Sequence, residues 1–303
     1  MRAISIRTLI RALGLIWLAG FLAGAAPALA GERCVTDDKG REVCLEAPAE
    51  RIISLSPGAT ELLFAVGAGE QVVGAMAHSD YPEQAKDIPR IGSHQRLDME
   101  AILSKAPDLI VAWASGNPAG QLEELEGHGA TIYYSEPRAL DDVAVALERL
   151  GRLTGQEARA EEVAAEYRGA IAALEEKYAD AEPIRVFYEV WPEPLQTLND
   201  EHLISRVANM CGGENIFGDL ERLSPRVDRE SVLEADPEAI FTGGSGEADE
   251  SWLESWKRYE DMTAVKRGNL FFVPPSSIQR PTPRLIDGAR VLCEELEEAR
   301  ERL

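Results

Sequence analysis

Histidines, tryptophans and a duplicated glutamate are the residues of this 303-residue chain whose placement could do chemistry. His78 and His94 each follow a short run that reads as a strand. Trp113 follows Leu109-Ile110-Val111, and Trp191 follows Val186-Phe187-Tyr188-Glu189-Val190. In open parallel α/β sheets, ligands bind outside the carboxyl ends of the strands. Indole and imidazole rings at that level can pave a cleft for a broad, flat guest. Core or interlobe packing would account for the same tryptophans. Two histidines make an incomplete metal site, which would need ligands from elsewhere in the chain. His128, in Glu126-Gly127-His128-Gly129, reads as an exposed turn, and His202 lies near a helix start. Catalytic signatures are missing: there is no G-x-S-x-G, H-E-x-x-H, P-loop or G-x-G-x-x-G after a strand. Gly243-Gly244-Ser245-Gly246 has no lysine after it and reads as a loop. Binding without catalysis is the expectation.

The elements that would position these groups show themselves through a repeat. Asp98-Met99-Glu100-Ala101-Ile102-Leu103-Ser104-Lys105-Ala106-Pro107-Asp108-Leu109-Ile110-Val111 returns without a gap as Asp228-Arg229-Glu230-Ser231-Val232-Leu233-Glu234-Ala235-Asp236-Pro237-Glu238-Ala239-Ile240-Phe241. Residue or type is kept except at Met99/Arg229, Ser104/Glu234 and Ala106/Asp236. Each copy reads as a short helix, a proline stop and a buried strand. Glu100 and Glu230 fall at matching places near the helix starts. A carboxylate there is favourable with the helix dipole. One exposed carboxylate per lobe also suits docking on arginines of a two-fold partner.

Around the repeat, apolar strands alternate with helices, the parallel α/β pattern. Arg51-Ile52-Ile53-Ser54-Leu55 opens a first lobe, followed by a helix from about Thr60, a possible N-cap, to a stop at Gly67. Arg185-Val186-Phe187-Tyr188-Glu189-Val190 opens a second, followed by a helix from His202 to Met210. Cys211-Gly212-Gly213-Glu214-Asn215-Ile216-Phe217-Gly218 echoes Gly67-Ala68-Gly69-Glu70-Gln71-Val72-Val73-Gly74. The strand at Asn269 echoes the one at Thr131. Between the lobes, Val163, Tyr167, Ile171, Leu174 and Tyr178 mark one long helix, from Gln156 to Tyr178. The expected fold is α/β: two similar Rossmann-like lobes with parallel sheets, joined by one long rigid helix. The expected divisions are a signal peptide at 1–30, a disulfide hairpin at 31–50, an N-terminal lobe at 51–155, an interlobe helix at 156–180 and a C-terminal lobe at 181–303.

Bulk properties set the compartment. Arg2, Arg7 and Arg11, an apolar run to Leu22 and Ala28-Leu29-Ala30 read as a cleaved secretory signal. Removing those three arginines takes the formal net charge from −22 to −25. Such an acidic body repels nucleic acid and anionic membrane surfaces. Four cysteines in an exported chain read as disulfides. Cys34 and Cys44 flank the turn Asp37-Asp38-Lys39-Gly40 and would staple a hairpin. Cys211 and Cys293 would then tie a helix end to the last helix.

These segments resemble the periplasmic substrate-binding proteins of ABC importers with a single-helix hinge, the cobalamin, haem and siderophore group, and its cobalamin-binding members most closely. The likeness runs from Arg51 to Leu303. It rests on Ser54-Leu55-Ser56-Pro57, Thr60-Glu61-Leu62, Ser79-Asp80-Tyr81-Pro82, Pro107 to Trp113, Gly116-Asn117, Cys211 to Phe217, Pro283-Arg284 and Cys293. The resemblance implies that Trp113 lines a corrinoid cleft, that Arg280 faces it from the other lobe, and that Cys211 and Cys293 are bridged. It also implies that Glu100 and Glu230 dock on arginines of an ABC permease dimer with its ATPase. Where the cobalamin-binding members carry cleft aromatics, this chain has His78, His94, Ser224 and Gln196, and Ser276 stands at the place of a cleft aspartate. Trp191 and Tyr188 would supply replacement surface, and Asn117, Gln196 and imidazole would supply neutral donors. The Cys34–Cys44 hairpin has no counterpart in those members. The implied function is delivery of cobalamin or a related corrinoid by a monomeric periplasmic protein, with no resident cofactor or metal. The alternatives are a haem or ferric-siderophore carrier and, from another class, a metal-binding protein using His78 and His94.

Overall fold

The computed structural model describes residues 31–303 apart from Ser245 and Ala248. The predicted signal peptide, 1–30, lies outside the described residues. The chain begins with an antiparallel hairpin, β1 (Arg33–Thr36) and β2 (Glu42–Leu45), in which Cys34 pairs with Cys44 and is bonded to it.

The first sheet follows. β3 (Ile52–Ser54) runs into α1 (Pro57–Ala65), and β4 (Val72–Ala75) pairs parallel to β3. A small hairpin, β5 (Gly92–Ser93) with β6 (Arg96–Leu97), precedes α2 (Met99–Ser104). Then come β7 (Leu109–Trp113), α3 (Ala119–Gly127), β8 (Ile132–Ser135) and α4 (Leu140–Thr154). The strand order is β4-β3-β7-β8, all parallel. Thr60 is not the cap of α1. Ser56 caps it by accepting from the Ala59 N–H at 3.0 Å, with Pro57 in the first turn, where its missing N–H costs nothing. Thr60 instead joins Ser54 (2.8 Å) and Ser79 (2.9 Å) in a buried hydroxyl chain.

α5 (Glu157–Tyr178) spans about 33 Å, with Gln156 as its N-cap rather than its first helical residue. The second sheet begins at β9 (Ile184–Glu189). A two-rung hairpin follows, β10 (Trp191–Pro192) with β11 (Leu195–Gln196), then α6 (Leu203–Met210) and β12 (Gly213–Asn215). α7 (Arg229–Ala235) leads into β13 (Ala239–Thr242). The short helices α8 (Ser251–Glu254) and α9 (Thr263–Arg267) come before β14 (Leu270–Phe272), and α10 (Pro275–Ile278) and α11 (Leu285–Arg302) close the chain. The order β12-β9-β13-β14, again all parallel, matches that of the first sheet strand for strand.

The sequence repeat has a mechanical cause. Asp98 caps α2 by accepting from the Ala101 N–H at 3.0 Å, and Asp228 caps α7 by accepting from the Ser231 N–H at 2.7 Å. Asp108 accepts from the backbone N–H of Arg51 at 3.1 Å, and Glu238 from that of Arg185 at 2.8 Å. Those two arginines then close the preceding helices, Arg51 donating to the Lys105 carbonyl and Arg185 to the Ala235 carbonyl, each at 2.7 Å. Ala106 (φ 44°) and Asp236 (φ 41°) hold the same left-handed turn, although neither is glycine and the two side chains differ. Backbone geometry, not side-chain identity, is what the repeat keeps at that point.

One hydrophobic core runs through both lobes, from Val43 to Ala299, and takes in the inward faces of α4, α5, α6 and α11. Separate clusters cover the outer faces: Ile53, Ile110 and Tyr134 on the first sheet, and Phe187, Ile240 and Trp256 on the second. No helix among the described residues is long and apolar enough to cross a membrane. Cys211 is bonded to Cys293, closing 82 residues of the second lobe. The loop-entropy relation predicts that Cys211→Ser with Cys293→Ser lowers stability by about 4.5 kcal/mol. Urea unfolding of that variant checks it; a loss under about 1 kcal/mol would show that the bridge constrains little in the unfolded chain.

Candidate functional site

A cleft of about 460 Å³ opens between the carboxyl ends of the two sheets, within the size range of ligand sites. Ser56, His78, Trp113 and Ser135 line it from the first lobe, and His202, Leu223, Ser276 and Gln279 from the second. Trp113 ends β7 and leaves 42% of its surface open. The ring lies so close over Gly116 that a Cβ there would sit 1.9 Å from it, so only glycine fits. Asn117 holds the strand end in place. Its Oδ1 accepts from the Trp113 N–H at 2.7 Å and its Nδ2 donates to the Leu55 carbonyl at 2.8 Å.

The two lobes meet beside the cleft through a buried charge. Glu61, on α1, keeps only 2% of its side chain exposed. It accepts from Arg280 Nη1 at 2.7 Å, Thr282 Oγ1 at 3.0 Å and Arg284 Nη1 at 3.3 Å, all from the second lobe. Arg280 also bonds Asp80 Oδ1 at 2.9 Å and, through Nη2, the carbonyl of His78 at 3.3 Å. Burial alone would raise the Asp80 carboxyl, but the hydrogen bond and charge of Arg280 outweigh it and hold it below its usual range. His78 sits at φ 65°, rare for a residue with a Cβ, where its carbonyl is turned to Arg280. Arg284 stacks over the Tyr81 ring at 4.1 Å and donates to Ser276 Oγ at 2.9 Å.

Of the residues singled out in the sequence, Trp113, His78 and Arg280 line the cleft. Five stand outside its lining. Trp191 is half exposed, packed edge-on against Trp252 at 5.6 Å, with its Nε1 donating to the Glu193 carbonyl. His94 is exposed in the turn between β5 and β6. Gln196 is partly buried in β11, and Asn117 is spent on the brace of β7. Tyr188 is buried in the core, its hydroxyl close under Gly243. Of the remaining departures from the cobalamin-binding members, Ser276 lines the cleft, and Ser224 donates to the Thr197 carbonyl outside it. Glu100 and Glu230 sit in the first turns of α2 and α7, both exposed and both outside any ion pair among the described residues. Among those residues, the only three-membered group with metal-ligand spacing is Glu32 with Cys34 and Cys44, whose sulfurs are joined to each other.

Several lining groups were not assigned to the cleft from sequence: Asp80, Glu136, Arg138, Glu247 and Gln279, His202, which was read only as lying near a helix start, and Glu61 behind them. Glu61 and Asp80 lie inside motifs that marked the resemblance, but their partners are some 200 residues away. His202 is the cap of α6 rather than its first residue: its Nδ1 accepts from the Ile204 N–H at 3.2 Å. That bond places the proton of the neutral ring on Nε2.

Residues 52–277 match the periplasmic binding protein family, and the chain belongs to that family. It is 38% identical over 246 residues to the vitamin B12-binding protein of Vibrio cholerae, covering 81% of this chain and 88% of that one. It is 34% identical over 250 residues to the protein of the same name from Vibrio parahaemolyticus, covering 82% and 90%. The crystal structure of the periplasmic vitamin B12-binding protein BtuF of Vibrio cholerae superposes with a TM-score of 0.78 at 36% identity, covering 84% of this chain and 99% of that one. The periplasmic haem-binding protein RhuT of Roseiflexus shares the fold, with a TM-score of 0.73 at 24% identity over 83% of this chain and 99% of that one.

Burial, and then the nearby charge of Arg138, pull the His202 imidazole down from 6.5 to about 4. Between those values the unfolded chain binds the proton and the native protein does not. Stability from this group is therefore complete above about pH 6.5 and declines as pH falls toward 4, by up to about 3 kcal/mol. His202→Gln is expected to flatten that part of a urea-derived stability profile. An unchanged slope in the variant would assign the acid loss to other groups.

Proposed function

We propose that this protein is a periplasmic carrier that delivers cobalamin, or a related corrinoid, to an ABC permease. The chemistry of the cleft carries the reading. One open indole face stands among hydrogen-bonding groups, and Asp80, Glu136, Glu201 and Glu247 outnumber the lining cations Arg138 and Arg280. Arg280 is already bonded to Glu61 and Asp80. A corrinoid presents a broad plate with neutral amide arms, which such a surface accepts by stacking and hydrogen bonding. Haem carries two carboxylates, and ferric catecholate and carboxylate siderophores a net negative charge. Either would face an acidic wall with few free cations. The similarity to proteins named for vitamin B12 binding, over 81–84% of this chain, supports the same choice.

Binding breaks no bond, and the corrinoid is cargo rather than cofactor. The disulfides and the family favour the periplasm, with the first thirty residues as export signal. Glu100 and Glu230 occupy equivalent, exposed places on the two lobes and are the contact points for permease arginines. The carrier acts as a monomer.

Calorimetric titration with cyanocobalamin and, separately, haem tests the ligand. Saturable one-to-one binding of cobalamin is expected, with no binding of haem; the reverse result overturns the assignment. Trp113→Ala should weaken cobalamin binding about tenfold, the scale of one lost stacking contact. Glu100→Ala with Glu230→Ala should leave the calorimetric affinity unchanged and impair corrinoid uptake by cells. Normal uptake by that double variant would remove the docking role.

A further inference from the structure

The stapled hairpin lies outside the 52–277 stretch that matches the family, yet its tip is bonded into the wall of the cleft. Asp37 shapes that tip, accepting from the backbone N–H groups of Lys39 and Arg41, each at 2.9 Å. The Asp38 N–H donates to the Tyr134 carbonyl at 3.0 Å, on the open edge of β8. Arg41 donates to the Ile132 carbonyl at 3.1 Å and to Glu126 at 2.6 Å. These contacts cover a sheet edge, which would suffice to explain a hairpin there.

Asp38 goes further than covering an edge requires. Its side chain is 17% exposed and accepts from Arg149 Nη1 and from the backbone N–H of Glu136, both at 2.6 Å. Glu136 lines the cleft, and its carboxylate accepts from both the N–H (2.8 Å) and the Oγ (3.0 Å) of Ser115. Ser115 belongs to the tight loop between Trp113 and Asn117, the loop whose Gly116 lies under the indole. Hydrogen bonds therefore tie the hairpin to the Glu136 backbone, and the Glu136 carboxylate to Ser115, two residues along the chain from Trp113.

We propose that Asp38 is a positioning residue for ligand binding: through Glu136 and Ser115 it fixes how Trp113 is presented to the cleft. This rests on the cleft being the corrinoid site. The hairpin is then part of the binding apparatus, and the Cys34–Cys44 bond serves to hold its tip in place.

Two readouts on the full mature protein test this. Without ligand, acrylamide quenching of tryptophan fluorescence is measured for the wild type and Asp38→Ala, each with and without Trp113→Phe. Asp38→Ala is expected to raise quenching only where Trp113 is present. With cyanocobalamin, Asp38→Ala is expected to speed dissociation about fivefold, the scale of one lost hydrogen bond, and to have no further effect beside Trp113→Ala, which removes the ring being positioned. Asp38→Asn keeps an acceptor for the Glu136 N–H and should recover most of both effects; it also serves if the alanine variant folds poorly. Unchanged quenching, or a loss of affinity by the same factor with and without Trp113, would overturn the proposal. If the wild type binds no cobalamin, the ligand reading fails, and the quenching measurement still decides the role of Asp38.

Discussion

Taking a carboxylate almost wholly out of water costs several kcal/mol unless nearby charges and donors replace its hydration. Glu61 is in that position, and every partner that compensates it arrives from the opposite lobe: Arg280, Thr282 and Arg284. Pulling the lobes apart at this edge would strand a buried anion on one side and two guanidiniums on the other. The clasp therefore fixes one border of the cleft, and with it the spacing between Trp113 and the second lobe. It also ties up Arg280, a cleft cation, so the surface offered to a ligand is neutral to acidic.

The clasp is backed by a continuous helix between the lobes. α5 is a single 22-residue helix whose buried stripe belongs to the same core as α4, α6 and α11. A continuous helix that shares one core with both lobes resists bending, which favours a preformed cleft. A preformed site saves the ordering cost that a closing site would meet on binding.

Much of the fold could be read in advance because its signals are local. Strand runs, helix stops and a gapless repeat each depend on neighbouring residues, and together they gave the lobes, the spine and the pairing of like strands. Helix starts were less legible. Ser56 and His202 cap their helices with side-chain atoms; Thr60 competed with Ser56 for the first, and histidine is not among the preferred caps that would announce the second. The cleft was partly legible. The rule that ligands gather at strand ends found Trp113 and His78, but it fixes only a level along the sheet. It does not say which way a side chain turns, so Trp191 at a similar level packs on Trp252 outside the lining, and Tyr188 points into the core. The Glu61–Arg280 pair spans 219 residues, and no local pattern announces such a contact.

The core that holds Val43 also holds Leu296 and Ala299 near the carboxyl end. α11 packs on α5, α6 and α10, so the spine and the second lobe share its apolar stripe. In a polypeptide emerging amino end first, the second lobe would keep an uncovered apolar face until α11 had packed. A stop just before α11 would spare every cleft residue and still strip that cover from α5 and α6.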